Sequence, residues 1–554
     1  MQFKNSFPYF IFIVLCSFLQ PTNAQNKKKF TAKPFTTPKL VVGVVVDQMR
    51  YDYLTRFYDH YGTGGFKRIL EQGYNCRNNH FNYAPTSTGP GHASIYTGAT
   101  PSTHGVIGNN WYNKEQGKEV YCAADSTYAS VGALNAAGQM SPHRMAVTTL
   151  TDQIRLHHQN RNKTIAIALK DRGAVLPGGH TANAAYWFYG AEQGNWITSS
   201  FYVPTLPKWV VNFNASRVVD RYKKPWKPLK DMRTYLESGL DNTVYEGLFV
   251  GEKAPVFPHD LPKLWDANEK YDILKATPFG NSLTTDFAIA ALEGENLGQN
   301  GYTDFLALSY SSTDYVGHVF GVNSKEVQDT YIRLDKDLER LMAALDRKVG
   351  KGEYTLFLTA DHGAIHVPAF LKKNKIPAGY IDYEVMLPKF KEFLNYTFGT
   401  SDIVKNFSNL QVFLDHKIIK NLEMRVSEVQ EIIAKELLQY DAIDKAYTAD
   451  QMWKNNYTSG IPYLVQNGYH QKRSGDVLLV LAPGTVSYPK TGSTHGSPQV
   501  YDTHAPLLFY GNGIKKGHTV LKTQITDIAP TIAALLGIAF PSGTTGEPII
   551  SVLD

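Results

Sequence analysis

The stretch Lys39 to Val46 reads KLVVGVVV and stops at Asp47. An uninterrupted apolar run of this length suits a parallel strand covered on both faces rather than a half-exposed one. Three more runs share the design. Thr164 to Leu169 (TIAIAL) leads into Lys170-Asp171-Arg172-Gly173, Asp304 to Tyr310 (DFLALSY) into Ser311-Ser312-Thr313-Asp314, and Tyr354 to Thr359 (YTLFLT) into Asp361-His362-Gly363. Open α/β sheets build their sites just past the carboxyl ends of such strands. Between them Val327, Tyr331, Leu334, Leu338, Leu341 and Leu345 recur at steps of four and three, the stripe of a helix laid on a sheet. The pattern predicts an α/β fold with a mostly parallel central sheet and helices on both faces.

Two regions break the alternation. Residues from about 180 to 275 are aromatic and Pro-rich, with Tyr186-Trp187-Phe188-Tyr189, Trp196, Trp209 and Trp226; about 370 to 475 mixes a strand-like Leu410 to Leu414 with a helix near Val426 to Leu438. Both read as insertions that cap the sheet and wall the site. The core is expected to resume with Asp476 to Leu481 (DVLLVL), the loop bearing His495 and Ala505 to Tyr510 (APLLFY), closing on a helix over Ile525 to Leu536. One catalytic domain over 39–545, with these cap insertions and a tail over 546–554, is the domain plan.

At the amino end Lys4, the apolar run Phe7 to Leu19 and Pro21-Thr22-Asn23-Ala24 have the order of a secretory signal. Cleavage near Ala24, a leader over 25–38 and a secreted or periplasmic protein without a stable membrane anchor are expected; an uncleaved anchor is the alternative. Cys16 lies in that signal, so only Cys76 and Cys122 remain, and both a disulfide and two buried thiols stay open. No Cys spacing suits zinc, so any metal must be held by oxygen and nitrogen. The net charge of +6 over 554 residues mildly favours anionic ligands, but it is too small and dispersed to argue for nucleic acid and forms no basic stripe, so no nucleic-acid partner is expected.

The stretch Ala84 to Ser94 (APTSTGPGHAS) offers a hydroxyl just before a Gly-Pro-Gly turn and a helix start. Free N–H groups at such a start suit an anion held beside the hydroxyl. Thr88 is the candidate nucleophile, with Thr86 and Ser87 as competing hydroxyls. Alone the stretch is a helix entry; the carboxylates and histidines elsewhere give it meaning. Asp47, Asp314 with His318, Asp361 with His362, and His495 make three aspartates and three histidines, the set from which two zinc sites are commonly built. One Zn2+ is expected on Asp47, Asp361, His362 and Thr88, the other on Asp314, His318 and His495. A threonine hydroxyl is a poor nucleophile until a nearby dication lowers its pKa, and two metals about 4 Å apart clamp both ends of an in-line displacement at phosphorus.

In that order APTSTGPGHASIYTG, SSTDYVGH, TADHG and THGS resemble the alkaline phosphatase superfamily, in the branch shared with nucleotide pyrophosphatase/phosphodiesterases, over about residues 39 to 545. The likeness is greatest to the threonine-nucleophile, PafA-type alkaline phosphatases. Members of that subgroup hold phosphate with an Asn and a Lys-x-Arg pair; Asn109 in GVIGNNWYN and Lys170 and Arg172 in ALKDRG match those positions. The resemblance implies two Zn2+, small-molecule phosphate monoesters as substrates and a covalent phosphothreonine at Thr88. The serine-nucleophile branch has an Arg shortly after its nucleophile and a third, magnesium site, and neither carries over to Thr88-Gly89-Pro90-Gly91. Cys76 and Cys122 do not fit the sulfatase pattern. A phosphodiesterase with the same metals is the nearest alternative, and a non-catalytic binder of phosphorylated ligands a further one. Lys170 and Arg172 favour the monoesterase, because a monoester dianion offers one more charged oxygen. His80, His92, His104, His143 and His504 are read as structural, and the oligomeric state stays open.

Overall fold

The computed structural model describes residues 37–191 and 193–554. The signal and nearly all of the leader therefore lie outside the described residues. Ten strands form the main sheet: β1 (Leu40–Val46), β2 (Tyr74–His80), β3 (Ser130–Val131), β4 (Thr164–Ala168), β5 (Ala184–Tyr189), β6 (Asn195–Ser199), β7 (Asp304–Tyr310), β8 (Tyr354–Thr359), β9 (Leu507–Gly511) and β10 (Gly517–Gln524). Their order is β10-β2-β9-β8-β1-β7-β4-β5-β6-β3. The five central strands, β8-β1-β7-β4-β5, are mutually parallel, as the apolar runs predict for the first four, while β9 and β6 join them antiparallel on either side. Every residue of β1 is buried, so both faces of the sheet are covered there.

Five helices matter for the site: α1 (Thr88–Thr97), α2 (Asp171–Gly178), α3 (Pro278–Gly294), α4 (Ser312–Phe320) and α5 (Lys325–Leu345). All ten residues of α1 are buried. The stripe Val327, Tyr331, Leu334, Leu338, Leu341 and Leu345 on α5 is buried as its periodicity requires. Among the described residues no helix is long and apolar enough to cross a membrane.

Two expected boundaries need correction. Residues 184–189, assigned to the first insertion for their aromatic content, form the core strand β5, parallel to β4. Aromatic residues fill that strand because Tyr186 meets Phe287 of α3 edge-on at 5.5 Å, a contact small side chains would not make. The run Val477–Leu481, expected to return to the core, instead joins a separate antiparallel sheet with Val404–Ser408, Gln411–Leu414 and Ile443–Thr448. Its residues are all buried because they face two clusters in alternation: Val477, Leu479 and Leu481 pack with Ile433 and Leu437, Leu478 and Val480 with Met452 and Val465. A strand buried on both faces thus arises without parallel neighbours. Cys76 and Cys122 are separately buried and unbonded, and burial pushes each thiol up to about 12.

Candidate active site

Register brings the strand ends together. Val45 of β1 lies beside Ser309 of β7 and Thr359 of β8, and Ser309 beside Ala168 of β4. Asp47, Asp314, Asp361 and Lys170 therefore leave the sheet at one end. Gln48, which sequence reasoning missed, ties them. With φ at 62° it occupies the left-handed region, its backbone N–H donates to Asp361 Oδ1 at 3.1 Å, and its side-chain amide donates to Asp314 Oδ1 at 2.7 Å. A Cβ on Gly317 would stand 1.9 Å from Gln48 Oε1, so the glycine between Asp314 and His318 makes room for this bridge.

The six predicted donors fall into two groups, Asp47 with Asp361 and His362, and Asp314 with His318 and His495, each with its donor atoms within 4.8 Å of one another. The first group is wholly buried, the second half-open through its two histidines. All three imidazoles point Nε2 toward carboxylates, because each Nδ1 is engaged by a backbone carbonyl: His362 with Gly363 at 3.0 Å, His318 with Ser493 at 2.8 Å, and His495 with Thr86 at 2.8 Å. That arrangement fixes tautomer and ring direction.

Buried Asp47 Oδ1, Asp361 Oδ2 and His362 Nε2 have no hydrogen-bond partner, although His362 Nε2 lies 3.5 Å from Asp47 Oδ1 and 3.6 Å from Asp361 Oδ2. Orphan groups of this kind cost about 1–3 kcal/mol each unless something satisfies them, and a cation bound by oxygen and nitrogen does. Burial, then the Asp47 charge, pushes the Asp361 carboxyl well above its usual range. Burial also drives His362 down to about 3 and His495 well below its ordinary value, leaving neutral imidazoles of the form that ligates metal. Burial opposes ionisation of Asp314, but His318 and Lys170 outweigh it and hold that carboxyl low.

Thr88 opens α1 beneath these groups. Ser87 before it is extended, and Gly89 N–H donates to Asn109 Oδ1 at 2.7 Å. A Cβ on Gly91 would meet the Asp361 carbonyl at 2.3 Å, so this glycine lets the helix lie flush on the loop carrying Asp361 and His362. Lys170 Nζ reaches Asp47 Oδ2 at 2.6 Å, Asp314 Oδ2 at 2.5 Å and Thr88 Oγ1 at 3.5 Å. Of the competing hydroxyls, Thr86 donates to the Ser497 carbonyl at 3.3 Å and Ser87 has no partner. His92 Nδ1 lies 2.9 Å from Thr88 O and 3.4 Å from Asp361 Oδ2, and its Nε2 lies 2.9 Å from Ser309 Oγ.

Comparison with known proteins fits this geometry. The family described as Type I phosphodiesterase / nucleotide pyrophosphatase matches residues 41–505. The chain is 45% identical to alkaline phosphatase PafA of Elizabethkingia meningoseptica, over 93% of this chain and 94% of that protein. It is 44% identical to alkaline phosphatase PhoV of Synechococcus elongatus over 98% of each. A Myroides odoratus protein named calcium-transporting ATPase is 46% identical over the full length of both. The crystal structure of wild-type PafA superposes with a TM-score of 0.90 at 44% identity, covering 94% of this chain and 100% of that one. The chain belongs to this family, on its alkaline phosphatase branch.

The structure separates the two basic residues of ALKDRG. Lys170 lies among the aspartates, whereas half-buried Arg172 donates from Nη1 to the Tyr121 hydroxyl at 3.2 Å, and that hydroxyl donates to Asp171. Tyr121 and Asp171 are further residues that sequence reasoning missed; Asp171 was visible between two matched positions, but nothing local marks Tyr121. A cavity of about 420 Å³ adjoins the centre, with Ser87, Asn109 and His495 on the core side and Tyr383, Gln411 and Leu479 on the cap side. The second insertion therefore walls the approach to the half-open donor group.

Proposed function

We propose that this protein is an exported two-zinc alkaline phosphatase that hydrolyses phosphate monoesters through a phosphothreonine at Thr88. The observation that carries the reading is the Thr88 hydroxyl held beside Lys170 at the junction of two donor groups, one with three unsatisfied buried ligand atoms. Held by Asp47, Asp361, His362 and Thr88 and by Asp314, His318 and His495, two Zn2+ would supply Lewis-acid charge that lowers the hydroxyl's pKa and stabilises charge on the departing oxygen. Thr88 Oγ1 forms the new bond to phosphorus as the alcohol leaves, and water later releases phosphate from the threonine. Lys170 places positive charge 3.5 Å from the attacking oxygen. Asn109 spends its Oδ1 on Gly89 N–H, so its amide N–H groups remain to donate to a phosphoryl oxygen. Arg172 brings a planar fork whose orientation is set by Tyr121. Export rests on the amino-terminal signal pattern alone.

Phosphodiester hydrolysis is the second reading, favoured by the family description. Turnover of a mono- and diester panel separates the two. Lys170→Ala and Arg172→Ala are each expected to slow monoester hydrolysis on the order of 10²-fold, the size of losing one preorganised donor, and to slow diester hydrolysis far less. Equal losses on both would move the phosphodiesterase reading ahead. Tyr121→Phe removes only the hydroxyl that orients Arg172 and should lower kcat/KM for monoesters about tenfold, with an unchanged circular dichroism spectrum and an effect that disappears in the Arg172→Ala background.

A further inference from the structure

The loop carrying His362 and the loop carrying His495 meet at one buried residue, Asp502, which supplies no donor to either group. It lies on the short helix Val500–Thr503 and is 1% exposed. Its carboxyl turns back along the chain: Ser497 N–H donates to Asp502 Oδ2 at 2.7 Å, closing a turn two residues beyond His495. Its main-chain carbonyl accepts from Gly363 N–H at 2.8 Å, one residue beyond His362. Tyr501 O takes the next N–H, that of Ala364, at 3.1 Å, and Thr494 O takes that of Ile365 at 3.1 Å, so the two loops are laced together.

This junction sets how the two donor groups face each other. His362 of the buried group and His495 of the half-open group stack with ring centroids 3.4 Å apart and planes 15° from parallel. Thr86 grips the same turn from the nucleophile's loop, its carbonyl engaging His495 Nδ1 at 2.8 Å and its hydroxyl donating to the Ser497 carbonyl at 3.3 Å. Gly496, between His495 and Ser497, has a φ of 118°, and the freedom of glycine leaves such a turn without a local preference, so outside contacts must define it. Asp502 Oδ1 has no hydrogen-bond partner, and a buried unsatisfied oxygen opposes folding, so the contribution of this carboxyl comes through Oδ2 and Ser497.

We propose that Asp502 is a positioning residue for the half-open group: by holding the His495 turn against the loop of the buried group, it presents His495 to the cation shared with Asp314 and His318. This role rests on the two-zinc reading and adds to it that the two groups are mechanically joined. Residues that orient a ligand from behind carry about 10–100-fold of metal affinity, and Asp502 acts on one of the two groups through its side chain and on the other only through its backbone. Substitution of the side chain should therefore be felt at one metal and not at both.

The test titrates metal-free full-length protein with Zn2+ against a competing chelator and records unfolding midpoints alongside. The wild type should bind two equivalents. Asp502→Ala should bind the first as tightly as the wild type and the second about 10–100-fold more weakly, with turnover recovering at high Zn2+ as the weakened site fills. Asp502→Asn keeps an acceptor oxygen in the same place and should restore the second affinity. Should Asp502→Ala not fold, Asp502→Ser, which stays polar but withdraws the oxygen, carries the same expectation. Unchanged affinities in the variant, whatever its metal-free midpoint, or equal losses at both equivalents, would mean that Asp502 only supports the fold and would overturn the assignment. A wild type that binds fewer than two equivalents would overturn the two-zinc reading itself, and the assignment with it.

Discussion

Thr88→Ala is expected to lower turnover at least about 10³-fold while both metals stay bound, and Thr88→Ser to keep a substantial fraction because serine offers the same oxygen. The size of the first effect follows from the position of the hydroxyl. It is the only one of the three in Thr86-Ser87-Thr88 within reach of Lys170, at 3.5 Å, and it sits on the first turn of a wholly buried helix that cannot shift to present a neighbour. Thr86 is turned to the Ser497 carbonyl, so it cannot substitute without breaking that bond. Acid-quenched enzyme should carry phosphate on the peptide spanning residues 86–88. Mass spectrometric localisation to Thr86 or Ser87 would show that another oxygen attacks.

Chelation should remove all measurable turnover, and zinc should restore it with two equivalents bound. Asp361→Ala or His362→Ala is expected to empty the fully buried group, and Asp314→Ala or His495→Ala mainly the half-open one. Stability should follow occupancy, since an ion that binds only the folded chain adds about 4 kcal/mol at a thousandfold excess over Kd. The stripped protein keeps Asp47 and Asp361 buried together with unpartnered oxygens, so its midpoint should fall clearly below that of the loaded form. Metal analysis giving fewer than one equivalent in fully active protein would defeat this prediction.

Four of the five central strands, β8, β1, β7 and β4, were legible because each is a mainly apolar run, and the residues just past their ends were legible because polar side chains there have few other reasons to cluster. Position at the strand ends was enough to nominate Asp47 and Asp361, whereas Lys170 was nominated by the resemblance of ALKDRG to the family's Lys-x-Arg pair. Gln48 was hidden because its role depends on a left-handed backbone and on the absence of a side chain at Gly317, which only the fold brings opposite. Tyr121 was hidden for a related reason: it meets Arg172 from a hairpin some fifty residues earlier. Val477–Leu481 misled because an apolar run reports burial on two faces, not what covers them. The aromatic β5 misled in the opposite direction, since its composition resembles a lid while its neighbours make it core.

The centre's parts emerge from the ribosome in a fixed sequence. Asp47, Asp361 and His362 are all present once the β8 end has been made, whereas Asp314 and His318 wait for His495, which follows the whole cap sheet. A chain broken off before Gly492 would hold every donor of the buried group but only two of the three in the half-open one. Synthesis is therefore uneven: the inner group has all its carboxylate and imidazole donors early, although the loop carrying two of them is held by Tyr501 and Asp502, and the outer group gains its last donor only after the wall beside it has been made.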